Sequence, residues 1–201
     1  MDLLQSFSLR DLLIFSPESY FQLFEISNRA LWPFQLPLLL LFTLALVLIY
    51  KRPRFTSKLI HSWLGFIWFF VAYWYFNVHY SQISTYAHYL AYAFYVEAFL
   101  LFITAFVSRN DAINFDQTDY QKLLLILGVG LITYGLIIHP IMSLLIWNQS
   151  LIRAELFSIA PDPTAIASIG FILLFPVKGS LVLIIIPILW LLFSFITYQA
   201  F

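Results

Sequence analysis

The chain has 201 residues, ten Lys/Arg balanced by ten Asp/Glu, and no cysteine. Hydrophobic residues make up 62% of it and charged residues 10%, where a soluble domain carries about a quarter charged. Zero net charge, with the basic residues confined to expected helix ends, argues against a nucleic-acid partner. The lack of cysteine excludes disulfides, thiolate metal sites, iron–sulfur clusters and a cysteine nucleophile.

Residues 1–30 carry Asp2, Arg10, Asp11, Glu18, Glu25 and Arg29 with no uninterrupted apolar core, so a secretory signal is not expected. Ser16 suits an N-cap, with Pro17 at the first helical position and Glu18 just after. Glu18, Gln22, Glu25 and Arg29 then share one helix face, while Tyr20, Leu23, Phe24, Ser27 and Leu31 lie largely on the other. This predicts an amphipathic helix at the membrane interface, ended or bent at Pro33.

Crossing about 30 Å of hydrocarbon takes about 20 apolar residues. Residues 31–50, 59–79, 86–107, 122–147 and 180–199 meet that length. The stretch 163–177 is short, reaching roughly 22 Å as a helix. It crosses if Lys178 snorkels and the bilayer thins; the alternative is a re-entrant segment. The expected fold class is all-α: a six-helix transmembrane bundle, one domain over 1–201, with an N-terminal amphipathic interfacial helix. No internal repeat of the kind that marks many transporters is visible.

The charges between the stretches are sorted by side. Lys51, Arg52, Arg54, Lys58, Arg109, Lys122 and Lys178 fall on one side of the membrane by alternation, and only Arg10, Arg29 and Arg153 on the other. The positive-inside rule then puts the first group in the cytoplasm and both termini outside. Residues 1–30, 80–85 and 148–162 are outer segments in this map. In the last of these, Asp162 suits an N-cap ahead of Pro163.

The run Phe15-Ser16-Pro17, Tyr20, Leu23-Phe24-Glu25, Asn28-Arg29-Ala30, Trp32-Pro33 and Gln35 resembles the opening of an uncharacterised family of small bacterial integral-membrane proteins, a domain-of-unknown-function family. Ala154-Glu155, Phe157 and Ala160-Pro161-Asp162-Pro163-Thr164 are similar to its second signature. Ser158 stands where the resemblance leads one to expect glycine. The resemblance covers nearly the whole chain. It implies a bacterial inner-membrane location and an architecture, and no reaction.

Both signatures map to the outer side, as do Arg153, His79, His88 and His139, and Glu25, Asn28, Arg29, Glu155 and Asp162 are the expected lining of an outer vestibule. The two segments are expected to touch, through Arg29 and an acidic partner. Glu97, near the middle of the third span, is an intramembrane carboxyl that is costly to ionise there; the face holding Tyr86, Leu90, Ala93 and Thr104 is expected to turn towards protein. His61, Gly65, Trp68, Ala72 and His79 share a face of the second span suited to close helix packing. His139-Pro140 marks a kink. His79, His88, Glu155 and Asp162 have side chains that suit zinc or manganese, but no HxxxH or HExxH spacing supports a site, so neither a metal nor a cofactor is expected. The expected function is a non-enzymatic binder or conduit for a small polar solute or ion, embedded in the lipid bilayer with its polar site at the outer face. The alternatives are a subunit or assembly factor that docks a membrane protein partner, and an acid/base enzyme embedded in the membrane.

Overall fold

A computed structural model describes residues 15–33, 56–107, 119–148, 150–177, 179 and 181–200. Most of the expected span 31–50 lies outside the described residues, as do the basic run at 51–54 and the connection at 108–118. The described chain is all-helical. Its helices are α1 (Pro17–Leu31), α2 (Thr56–Gln82), α3 (Ala87–Val107), α4 (Asp119–Ile146), α5 (Pro161–Leu174) and α6 (Val182–Gln199). Of these, α2, α3, α4 and α6 are long and apolar enough to cross a membrane. Their outward faces carry large exposed apolar side chains such as Phe66, Tyr89, Phe99, Ile126, Leu145 and Phe195.

Helix α1 begins as its sequence dictates. The Ser16 hydroxyl accepts from the Ser19 backbone N–H at 3.2 Å, and Pro17 occupies a position where its missing N–H costs nothing. Glu18, Gln22 and Arg29 are exposed, while Tyr20, Phe21, Leu23 and Phe24 are buried. The apolar face packs onto the rest of the protein: Phe24 stacks on Tyr75 of α2 at 5.6 Å, and Tyr20 meets Tyr198 of α6 edge-on at 6.0 Å.

An aromatic core joins α2, α3 and α6. Phe94 lies 4.4 Å from Trp68, 4.7 Å from Phe76 and 5.3 Å from Trp190 between ring centroids. Such pairs add about 0.5–1.5 kcal/mol each beyond area burial. The shared face expected on α2 is a packing face, since His61, Gly65, Trp68, Ala72 and His79 are all buried. A Cβ on Gly65 would come 3.0 Å from the Phe102 ring.

Helices α4 and α5 approach more closely still. A Cβ on Gly170 would sit 2.6 Å from the Gly128 carbonyl oxygen, and one on Gly135 would sit 2.7 Å from the Pro163 carbonyl oxygen. Backbone-to-backbone contact of this kind requires small residues. At Gly135 the contact falls within a stretch of π-helical winding in α4, Tyr134–Ile138, just before Pro140. Proline has no N–H to give the preceding turn, and the widened turn accommodates the break.

At fourteen residues, α5 spans about 21 Å, short of the roughly 30 Å of a hydrocarbon core. It is buried on nearly every side. Asp162 is not its N-cap. The helix starts two residues earlier, at Pro161 after Ala160, whose side chain makes no capping bond. The first proline claims the helix start, which frees the Asp162 carboxylate to point elsewhere.

Candidate functional site

The segment 150–160 between α4 and α5 folds back into the bundle: Ala154, Glu155, Ser158, Ile159 and Ala160 are all buried. Irregular backbone at such depth must have its polar groups satisfied by protein. Asn28 supplies part of that. Its amide donates to the Ile152 and Ala154 carbonyls at 2.8 and 2.9 Å. Thr164 supplies another part, accepting from the Ser158 N–H at 2.9 Å and donating to the Ala160 carbonyl at 2.7 Å. Ser158 sits at φ +69°, in the left-handed region that glycine occupies without strain. That is the physical reason for expecting glycine there.

Two polar clusters result. The first is a surface clamp. Arg153 donates to Glu25 and to Glu18, each at 2.8 Å, and Arg29 pairs with Glu25 at 3.0 Å one helical turn away. The two sequence signatures therefore meet, but Arg153 makes the cross-link and Arg29 stays on its own helix. The hydrogen bonds from Arg153, then those from Arg29, hold the Glu25 carboxyl below its ordinary pKa.

The second cluster is buried and gathers three elements. Glu155 projects from the inserted loop, Asp162 from the first turn of α5, and His139 from α4. One ligating atom from each lies within 4.8 Å of the others. Glu155 and Asp162 are 1% and 3% exposed, and the His139 side chain 15%. His139 Nε2 is 3.1 Å from Glu155 Oε2. The Tyr198 hydroxyl donates to Glu155 Oε1 at 2.7 Å, and Tyr20 stands behind it, hydroxyl to hydroxyl at 3.5 Å. Burial keeps the Tyr20 phenol well above its ordinary pKa, so it serves as a neutral group. Asp162 accepts from the Trp190 indole N–H at 2.7 Å on one oxygen and from the Ser194 hydroxyl on the other. An indole N–H only donates, so that carboxylate oxygen is fixed as an acceptor.

The five expected lining residues thus split. Glu155 and Asp162 belong to the buried centre, Glu25 and Arg29 to the surface clamp, and Asn28 to the loop backbone. His139, which maps to the same side as these residues in the sequence but reads there as a kink, joins Glu155 and Asp162, and the α6 residues Trp190, Ser194 and Tyr198 carry no mark in the sequence. His139 follows π-helical winding, a feature frequent at functional sites, and that winding is invisible in apolar periodicity. His79 and His88 make their hydrogen bonds elsewhere. His79 donates from Nδ1 to the Trp74 carbonyl at 3.0 Å, and His88 meets the Asn77 side chain at 3.0 Å.

Glu97 is fully buried on α3. Its face is the stripe of Ala87, Ala91, Phe94, Ala98 and Leu101, not the expected one; Tyr86 and Ala93 are exposed. Bulky aromatics on α2 and α6 pack best against the small residues of that stripe, and this sets the rotation of α3. Both Glu97 oxygens lack a hydrogen-bond partner among the described residues.

Residues 17–200 match the DUF6064 family, a family of unknown function, and the chain belongs to that family. No curated protein and no solved structure matches it.

Proposed function

We propose that this member of the DUF6064 family is a non-enzymatic multi-pass membrane protein that binds or conducts a small cation at the His139–Glu155–Asp162 centre. One observation carries the reading: two buried carboxylates and an imidazole, delivered by three separate elements, lie within 4.8 Å of one another. Like charges so close inside a protein repel strongly. Among the described residues the donors to these carboxylates are the neutral Trp190, Ser194 and Tyr198, apart from His139. A small cation is the ligand that offsets that repulsion, which favours an ion over a neutral polar solute.

In this reading the protein lies in the bacterial inner membrane with both termini and the centre towards the outer side. The split of basic residues supports that orientation, and a cysteine at Phe55 should be shielded from impermeant reagents in intact cells.

The functional test is a thermal-shift series on the purified full chain in detergent, with sodium, potassium, methylammonium, magnesium, zinc and manganese salts added singly. At least one cation should raise the melting temperature, and Glu155→Gln should abolish that rise. No shift with any cation, or equal shifts in both proteins, would overturn the reading.

A further inference from the structure

The chemistry of the donor set narrows the cation. We infer that the centre is a site for a divalent transition-metal ion of the zinc or manganese class, with His139 Nε2, a Glu155 oxygen and an Asp162 oxygen as its protein ligands. The inference rests on the cation-binding reading above and deepens it.

The ligand types argue for this class. Imidazole nitrogen suits zinc and its first-row neighbours, whereas carboxylate oxygen alone suits magnesium, calcium and manganese. A mixed set of one nitrogen and two carboxylates falls where zinc and manganese overlap. Sodium and potassium prefer oxygen ligands and gain little from an imidazole nitrogen.

Geometry supports it as well. Two ligand atoms each about 2.0–2.2 Å from a tetrahedral zinc stand roughly 3.3–3.6 Å apart. His139 Nε2 and Glu155 Oε2 are already 3.1 Å apart, and the widest pair among the three is within 4.8 Å. A modest rotation of one carboxylate closes the set. Three protein ligands leave a fourth position open.

The surroundings orient the ligands. Trp190 and Ser194 hold Asp162, and Tyr198 holds Glu155. Hydrogen bonds to the ligating carboxylates are the recurrent support of protein metal sites. A sequence search for HxxxH misses this set because its members are 16 and 7 residues apart along the chain and meet only through the inserted loop.

The test uses the full-length protein purified in detergent, stripped with a chelator, loaded with zinc alone or manganese alone, and desalted. Metal per chain is measured by mass spectrometry. The wild type should retain close to one equivalent of one of the two metals. His139→Gln and Glu155→Gln should retain a small fraction of it, while Glu97→Gln, away from the centre, retains all. Elution profile and metal-free melting temperature establish that each variant is folded; a His139→Gln variant that fails this is replaced by His139→Asn. Sub-stoichiometric metal in the wild type, or equal retention in the centre variants, overturns the inference. If zinc and manganese fail while another cation stabilises the protein through Glu155, this inference falls and the broader reading stands. If no cation acts at all, both fall.

Discussion

Arg153 Nε donates to Glu25 Oε2 at 2.8 Å, across 128 residues of chain. This bond ties α1 to the inserted loop that carries Glu155. Because the pair is at the surface, its energetic worth is modest, and its consequence is positional. Arg153→Ala should lower the melting temperature slightly and weaken cation binding more than its stability loss would suggest. Thermal shift with and without the cation separates the two effects.

The same clamp sets an acid dependence. Glu25 has its folded pKa depressed below 4.5, chiefly by Arg153 and then by Arg29. A depressed carboxyl contributes stability that is present above its unfolded pKa and is lost as pH falls through the folded value. The melting temperature of the wild type should therefore exceed that of Glu25→Gln at neutral pH. The gap should close on acidification below about 4.5. A constant gap down to strong acid would show that the Glu25 charge makes no contribution.

The α4–α5 contact gives a prediction with a built-in control. In Gly170→Ala the new Cβ would meet the Gly128 carbonyl oxygen at 2.6 Å and the Ile132 nitrogen at 2.9 Å. Neither backbone group can rotate away, so the helices must part, at a cost of about 1–3 kcal/mol. Gly130, on the same helix as Gly128, has nothing within 4 Å of such a Cβ. Gly130→Ala should be neutral or stabilising by up to about 1 kcal/mol, the helix-propensity gain. Urea or thermal unfolding of the pair checks the order.

Glu97 offers a different contrast. Glutamine keeps its size, so Glu97→Gln should change stability by less than about 1.5 kcal/mol. Glu97→Leu removes both unpartnered oxygens and should match or exceed the wild type. A loss of several kcal/mol with either would mean that the carboxylate is ionised and held by an interaction. A cation affinity left unchanged in Glu97→Gln places this residue outside the binding centre.

Much of the architecture is legible in the chain because helices long enough to cross a bilayer are long apolar runs. The α1 cap at Ser16 and its polar face are equally visible, since both are local. What periodicity does not contain is rotation and loop depth. The face of α3 that holds Glu97 is decided by aromatics on α2 and α6, and the expected face was wrong for that reason. Asp162 reads as a helix cap beside Pro163, yet Pro161 starts the helix and turns Asp162 towards Trp190. His139 reads as a kink before Pro140; only the return of the 150–160 segment into the bundle brings Glu155 within 3.1 Å of it. Glu155 and Asp162 are marked in the sequence because both fall within the second signature. Their partners on α4 and α6 come from apolar runs that carry no such mark.

Cation titration by calorimetry on the wild type and on Asp162→Asn tests the central claim most directly. The ligand is whichever cation gives the largest thermal shift, and Gly130→Ala serves as the neutral comparison. One site per chain is expected in the wild type and in Gly130→Ala, with affinity at least about tenfold weaker in Asp162→Asn. Equal affinity in Asp162→Asn would contradict the account, because a centre built from His139, Glu155 and Asp162 cannot lose a carboxylate charge without losing hold of its cation.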